Sequence, residues 1–213
     1  VPAIQPALVE SAKDFLAEFD TCIRRGILVN VGQTIEDLSS QDRVAQVNSA
    51  RESVEKVRSH LGEFAKSKKL DEVVVVNLAS TEPPVDEHQL PEDWGDFEKL
   101  LDSPECPLPS STLYAIGAIQ SGHPFVNFTP SLGNCPAAID QLAIQCKTCH
   151  AGHDGKTGET FLKSVLAPAF ANRNLEIMSW VGHNIFGNMD GQVLDDPIKK
   201  QTKVSSKDRV LGQ

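Results

Sequence analysis

The sequence lacks an excess of positive charge, a long apolar run and an export signal. Its formal net charge is -9 over 213 residues, whereas nucleic acid and anionic membranes attract proteins with a basic face. No apolar run approaches the roughly 18 residues that span a bilayer, and the valines at 73–76 suffice only for a strand. Residues 1–4 have neither the basic nor the apolar region of a signal peptide. We therefore expect no nucleic-acid partner and no membrane partner.

A disulfide framework is also missing from the pattern. The chain has five cysteines, an odd number, and its length and 40% hydrophobic content are enough to bury a core without cross-links. Reduced thiols in a cytoplasm fit this composition better than disulfides in a secreted protein. We expect a globular protein of the cytoplasm.

What is present is an alternation of helical and extended patterns. Apolar residues at three- and four-residue spacing predict helices, and short apolar runs predict strands. The continuous valines of the strand at 72–77 indicate burial on both faces, as in a parallel sheet. Ser110 or Ser111 is expected to cap the helix that follows them. The predicted helices cover 8–23, 44–69 (ending in the basic cluster 66–69), 97–101, 113–119, 137–144 and 159–170, and the predicted strands cover 27–31, 72–77, 124–128 and 175–180.

This alternation predicts an α/β fold with right-handed crossovers and a mostly parallel sheet. The segment 79–109 has most of the clustered prolines and acids, and it reads as a long loop with one short helix. Ligands of such sheets bind beyond the carboxyl ends of the strands. Candidate site residues should therefore follow the predicted strands.

The segment 152–160 is the most informative loop. Its glycines allow a ligand to approach the backbone, and the helix after it directs free amide groups toward an anion. An ordinary glycine-rich turn without a ligand is the alternative. A nucleotide-hydrolase phosphate loop is disfavoured, because that motif needs a glycine five positions before Gly155 and His150 stands there.

A second motif, Cys146, Cys149 and His150, has the CxxCH spacing of a haem attachment site, and His153 adds a fourth zinc-capable side chain. Haem attachment requires export, for which there is no signal. Four ligands so close in sequence cannot readily surround one zinc ion. Ordinary reduced cysteines are the preferred interpretation, and a zinc or haem protein stays the weakest alternative. We assign no metal ligand.

Two further polar segments follow the last predicted strand. Amides and a carboxylate at 183–191 could bind hydroxyl groups and a nicotinamide, or could be ordinary turn residues. Lys203 and Lys207 are four residues apart, so on a helix they would project from one face. Two such ammonium groups could bind a phosphate and lower each other's pKa toward proton transfer. A solvent-exposed basic stretch is the alternative.

Six segments form an ordered set along the chain: 77–82, 111–116, 126–130, 152–166, 184–191 and 203–207. Taken together, they resemble the inositol-3-phosphate synthase family, in particular its shorter prokaryotic branch. The resemblance runs from about Gly26 to the last residue.

The resemblance implies a partial Rossmann-type NAD-binding domain at 1–155 and the start of an α+β catalytic and tetramerisation domain at 156–213. The family oxidises C5 of glucose 6-phosphate with NAD, enolises the ketone, closes the ring by an aldol attack between C6 and C1, and returns the hydride. The resemblance also implies NAD as the cofactor, a small sugar phosphate as the partner, and a homotetramer for the complete protein.

Roles follow by position in the matching motifs. Cofactor contacts are implied for Ala79, Ser80, Thr81, Thr129, Asp154 and Asp190. Contacts to the reacting sugar phosphate are implied for Asn184, Asn188, Lys203 and Lys207. Cationic groups there would stabilise the phosphate and an enolate oxygen.

Two departures from the family pattern stand out. His153 takes the place of the first aspartate in the family's Gly-Asp-Asp loop, and Met189 stands where asparagine or arginine is usual. No G-x-G-x-x-G turn follows a strand in this chain. We expect an interior piece, without the N-terminal glycine-rich unit and the C-terminal segment of catalytic residues, that has little activity alone. A divergent, non-catalytic homologue that binds a dinucleotide or a sugar phosphate is the alternative.

Overall fold

The computed structural model describes residues 4–155, 158–182 and 197, and within them three short strands form a parallel sheet. The strands are β1 (Val75–Asn77), β2 (Phe125–Asn127) and β3 (His150–Ala151), in the spatial order β1-β2-β3. Phe125 of β2 lies opposite Val75 on one side and opposite His150 on the other. Parallel neighbours need a crossover, which helices supply here. The predicted α/β class with a mostly parallel sheet is confirmed.

The helices of the described residues connect and cover these strands. None of them combines the length and the apolar character that a membrane-crossing segment needs. The α-helices are α1 (Pro6–Ser11), α2 (Lys13–Asp20), α3 (Gln33–Leu38), α4 (Ala50–Lys68), α5 (Trp94–Lys99), α6 (Ser110–Gln120), α7 (Ala137–Cys146) and α8 (Gly158–Ala171), and the 3₁₀ turns are Gln41–Arg43, Glu87–Gln89 and Leu100–Asp102.

Helix α6 is the centre of the core. Nearly all of its side chains are buried, since α4 packs on one side and α7 on another. The contact with α4 depends on Gly117, where an added Cβ would lie 2.8 Å from Cβ of Val57. Phe125 of the central strand is fully buried against this helical layer. The crossover β1–α6–β2–α7–β3 therefore places all three strand ends at one edge.

Sequence signals for helix ends act as expected in α4. The Ser49 side chain accepts a hydrogen bond from the Glu52 amide at 3.1 Å, which satisfies a free donor of the first turn. The helix ends at Lys69, which adopts a left-handed conformation with φ of 55°. The predicted helix thus exists and ends in the basic cluster at 66–69 as expected, but it begins at Ala50 rather than at residue 44.

The predicted strand at 27–31 is wrong. In the described residues this region forms only an isolated parallel bridge between Gly26 and Val44. The amide of Ile27 instead donates to the hydroxyl of Tyr114, at 3.1 Å. Burial of that hydroxyl raises the pKa of Tyr114. The segment is extended but bonds to a side chain of α6, so it is not part of the sheet.

Burial of β1 also differs from expectation. The strand is shorter than the predicted 72–77, and Val74 and Val76 are 56% and 48% exposed. Among the described residues, the core packs only against the face that carries Val75. The expectation of burial on both faces is therefore wrong for this part of the chain.

The two ends of the described chain give further corrections. The helix predicted at 8–23 is divided at Ala12 into α1 and α2, and neither helix has a buried residue. The strand predicted at 175–180 is not observed. Its first amide, of Leu175, donates instead to the carbonyl of Phe170 and closes the end of α8. Short apolar runs predict extended structure only where a neighbouring strand is available to pair with them.

Ser110 and Ser111 are not the cap of α6, which begins after Pro109. The hydroxyl of Ser110 accepts from the amide of Val29 at 2.8 Å, so it holds the segment before α3. The loop at 79–109 contains α5 and two 3₁₀ turns, rather than one helix at 97–101.

Candidate functional site

The carboxyl ends of β1 and β2 are joined by hydrogen bonds among Asn77, Asn127 and Thr129. Asn77 Nδ2 donates to Asn127 Oδ1 at 3.1 Å and to Thr129 Oγ1 at 3.2 Å. Thr129 Oγ1 in turn donates to Asn127 Oδ1 at 2.8 Å. Asn127 and Thr129 are buried, so these bonds fix the direction in which the segments after β1 and β2 leave the sheet. This is the edge at which parallel sheets bind ligands.

The loop at 152–155, directly after β3, is seated on the end of β2. The amide of Asp154 donates to the carbonyl of Thr129 at 2.9 Å, and the amide of Gly155 donates to the carbonyl of Phe128 at 3.2 Å. Gly152 has φ of 88°, and a Cβ there would lie 2.4 Å from the carbonyl oxygen of Asn127. The glycine is therefore required by contact with protein backbone, and the loop has little room to shift.

The structure brings together the predicted cofactor residues that it describes. Ala79 is linked to this edge because its amide donates to Asn77 Oδ1 at 3.3 Å. Thr129 and Asp154 are joined through their backbones, as stated above. The predicted residues Asp190, Asn184, Asn188, Lys203 and Lys207 lie outside the described residues.

Exposure divides these residues into two groups. Ala79 is exposed, and Ser80 and Asp154 are half-buried, so their atoms can reach a molecule at the sheet edge. Thr81 and Thr129 are buried. The Thr129 hydroxyl also accepts from the amide of Ser131 at 3.2 Å, so its hydrogen bonds are made within the protein. The Thr129 side chain therefore holds the backbone at the sheet edge in position.

A buried carboxylate, Glu82, holds the same loops from below. It is 3% exposed and accepts hydrogen bonds from the amide of Ser111, at 3.0 Å, and from the Ser111 hydroxyl. Its own amide donates to Ser131 Oγ at 3.0 Å. The carboxylate thus occupies the N-terminus of α6, where the helix dipole favours negative charge. Glu82 connects the 79–81 segment to the turn after Thr129.

Loss of the Glu82 carboxylate is expected to destabilise the protein. Glu82→Ala leaves the Ser111 amide and hydroxyl without this acceptor in a dry environment, so we expect the free energy of unfolding to fall by about 2–4 kcal/mol. Urea unfolding measures the change. Glu72→Ala, which removes an exposed carboxylate, is the matched control and should change stability by less than about 0.5 kcal/mol. Equal effects of the two changes would contradict the role of Glu82.

Asn77, Asn127 and Glu82 were not predicted as site residues, although a signal existed for the two amides. Both strands end in the same pair, Val-Asn, at Val76-Asn77 and Val126-Asn127. An amide at equivalent ends of adjacent parallel strands can donate and accept across the edge. Glu82 gave no such signal, because its partner lies 29 residues away.

The CxxCH segment is divided between two elements. Cys146 ends α7, and burial raises the pKa of its thiol, which disfavours the thiolate that a metal needs. His150 lies in β3, with Nε2 2.8 Å from Asp140 Oδ1 and Nδ1 2.8 Å from Asn134 Nδ2. In the part of the chain that the structure describes, no three His, Cys, Asp or Glu side chains are grouped to bind a metal ion. His150 thus joins β3 to α7 and to the turn before it.

Comparison with known proteins identifies the family. A family model described as Myo-inositol-1-phosphate synthase matches residues 20–199 of the chain. The chain belongs to this family. The matching model is that of the NAD-binding domain, which supports NAD as the cofactor.

Curated synthases are similar over most of the chain. The chain is 37% identical over 164 residues to inositol-3-phosphate synthase 1 of Bacteroides thetaiotaomicron, which covers 75% of this chain and 38% of that protein. It is 33% identical over 178 residues to the synthase of Dictyostelium discoideum, covering 81% and 34% respectively. For inositol-3-phosphate synthase 1 of Homo sapiens the identity is 34% over 165 residues, covering 76% and 29%. The chain therefore spans about a third of the length of these synthases, from 29% to 38%.

A solved synthase supports the fold. The crystal structure of inositol-3-phosphate synthase from Caenorhabditis elegans superimposes with a TM-score of 0.80 at 23% identity, covering 96% of this chain and 40% of that one. The predicted resemblance to the synthase family and the predicted fold class are both confirmed.

Proposed function

We propose that the complete protein is an inositol-3-phosphate synthase that converts glucose 6-phosphate to inositol phosphate. The reaction is an oxidation at C5, an enolisation, an aldol closure between C6 and C1, and a reduction, with no net redox change. NAD, when bound, takes up the hydride and returns it. Family membership supports the proposal, as does the convergence of Ala79, Thr129 and Asp154 at one sheet edge.

The residues at this edge fit a dinucleotide. Ala79 and Ser80 are small, and Ala79 is exposed while Ser80 is half-buried. The Asp154 carboxylate can accept hydrogen bonds from sugar hydroxyls, and its position is fixed by the backbone bond to Thr129. We assign cofactor binding to Ala79, Ser80, Thr81, Thr129, Asp154 and Asp190, and catalysis to Asn184, Asn188, Lys203 and Lys207.

The wider organisation is part of the same proposal. Residues 1–155 would belong to the NAD-binding domain and 156–213 to the start of the catalytic domain. The complete protein would be a homotetramer of the cytoplasm. No disulfide joins the five cysteines of the described residues, which is consistent with a reducing compartment.

A divergent homologue that binds ligands without catalysis is the second candidate. One observation favours it: His153 replaces an aspartate of the family pattern, and its Nδ1 lies 2.8 Å from Cys135 Sγ. The loop that carries Asp154 therefore has a contact that an aspartate could not make in the same way.

The decisive experiment incubates the complete protein with NAD and glucose 6-phosphate and follows inositol phosphate by phosphorus NMR. Product that depends on NAD supports the synthase. Tight NAD binding by calorimetry, without product, would establish the divergent homologue instead. A folded protein that binds neither NAD nor glucose 6-phosphate would contradict both.

A further inference from the structure

Cys135 and His153 form a contact that the proposed reaction does not use. Cys135 lies in the turn between β2 and α7, and His153 lies in the loop after β3. The thiol Sγ and the imidazole Nδ1 are 2.8 Å apart, and both side chains are half-buried. A thiol and an imidazole at hydrogen-bond distance are the nucleophile and base of many covalent catalysts.

The other half-buried thiols in this part of the chain are in different surroundings. Burial raises the pKa of Cys106 and of Cys146, so both thiols keep their protons. Cys149 is exposed. Cys22 lies near Lys68, whose ammonium group it contacts, and is the rival candidate for reactivity. Cys135 differs from all of these in having an imidazole within hydrogen-bond distance.

We propose that Cys135 is a modification site for small electrophiles, hydroperoxides in particular, with His153 as its base. In the reaction with a hydroperoxide, His153 takes the thiol proton and the sulfur electron pair attacks the terminal peroxide oxygen. The S–O bond forms as the O–O bond breaks, and the proton passes to the departing oxygen. Sulfur is oxidised to the sulfenic acid, and the peroxide is reduced to water or an alcohol.

Modification of Cys135 acts on the adjacent cofactor site. His153 directly precedes Asp154, whose amide is bonded to Thr129. Gly152 and Gly155 on either side are in close contact with the end of β2, so the loop cannot yield at these points. A group added to Sγ must therefore displace the His153 side chain, and the distortion falls on residues 153 and 154 between these two fixed points. This step rests on the proposed function, and it predicts that oxidation weakens NAD binding.

Alkylation rates in the complete protein test the nucleophile. With limiting iodoacetamide at pH 7, followed by peptide mass mapping, we expect Cys135 to react at least about tenfold faster than Cys146. His153→Asp should remove most of this advantage, whereas His88→Asp, which changes an exposed histidine, should leave it unchanged. The rate of Cys135 should also fall less steeply toward acid pH in the unchanged protein than in His153→Asp. Equal labelling of Cys135 and Cys146, or an unchanged rate in His153→Asp, would overturn the proposal.

A second measurement tests the link to the cofactor. Brief peroxide treatment should raise the Kd for NAD at least about tenfold, and dithiothreitol should restore it. Cys135→Ala should bind NAD normally and resist peroxide, whereas Cys22→Ala should stay sensitive. Peroxide sensitivity that persists in Cys135→Ala would disprove the link. Should the complete protein bind no NAD, the synthase proposal fails, while the alkylation rates still decide whether Cys135 is the nucleophile.

Discussion

Replacing Lys203 or Lys207 by alanine in the complete protein is expected to lower kcat/KM by about 10²–10⁴-fold. The two residues are four positions apart, so on a helix both ammonium groups would face the same substrate. In that arrangement mutual repulsion would lower the pKa of one ammonium group and favour proton transfer at C5 or C6, while the other would neutralise the phosphate. Steady-state formation of inositol phosphate measures the loss.

The same basic segment offers the control. Lys199→Ala and Lys200→Ala each remove one positive charge a few residues earlier. If loss of a positive charge in this segment is not enough to impair catalysis, these variants should change kcat/KM by less than about threefold. The two site variants should differ from each other, because loss of a phosphate contact raises KM, whereas loss of a proton-transfer group lowers kcat. Should all four alanine variants behave alike, 199–207 would be an ordinary solvated basic stretch.

The sequence predicted the helices better than the strands, for a physical reason. Burial in a helix repeats along one segment, so the spacing of apolar residues alone located α4, α6 and α7. A strand is defined by its neighbour. Nothing local to 27–31 shows that its amide hydrogen bonds go to Tyr114 and Ser110 on a distant helix.

The candidate site was predicted in part for a similar reason. The positions Ala79, Thr129 and Asp154 came from the matching motifs, and parallel topology alone requires that such strand ends lie at one edge. The bonds that set their distances could not be predicted. The repeated Val-Asn strand ends indicated Asn77 but not the length of its bonds, and Glu82 acts through a partner 29 residues away that a single sequence does not record.

Gly152→Ala is expected to lower kcat/KM of the complete protein by about 100-fold, since small displacements of binding groups cost this much. An added Cβ would lie 2.4 Å from the carbonyl oxygen of Asn127, which is held by the sheet. The loop must then move away from β2 and carry Asp154 with it. The free energy of unfolding should also fall by about 3 kcal/mol. This loss combines the cost of moving the loop with the cost of placing alanine in a left-handed backbone, at φ of 88°.

Gly122→Ala separates these two causes. Gly122 has a similar φ of 77°, but nothing lies within 4 Å of the position of its Cβ. This variant should therefore show only the backbone cost, about 1–2 kcal/mol, with unchanged kcat/KM. Calorimetric binding of NAD to both variants adds a direct measurement at the site. If Gly152→Ala binds NAD as Gly122→Ala does, contact between the loop and β2 does not position Asp154, and the cofactor cannot lie where these residues converge.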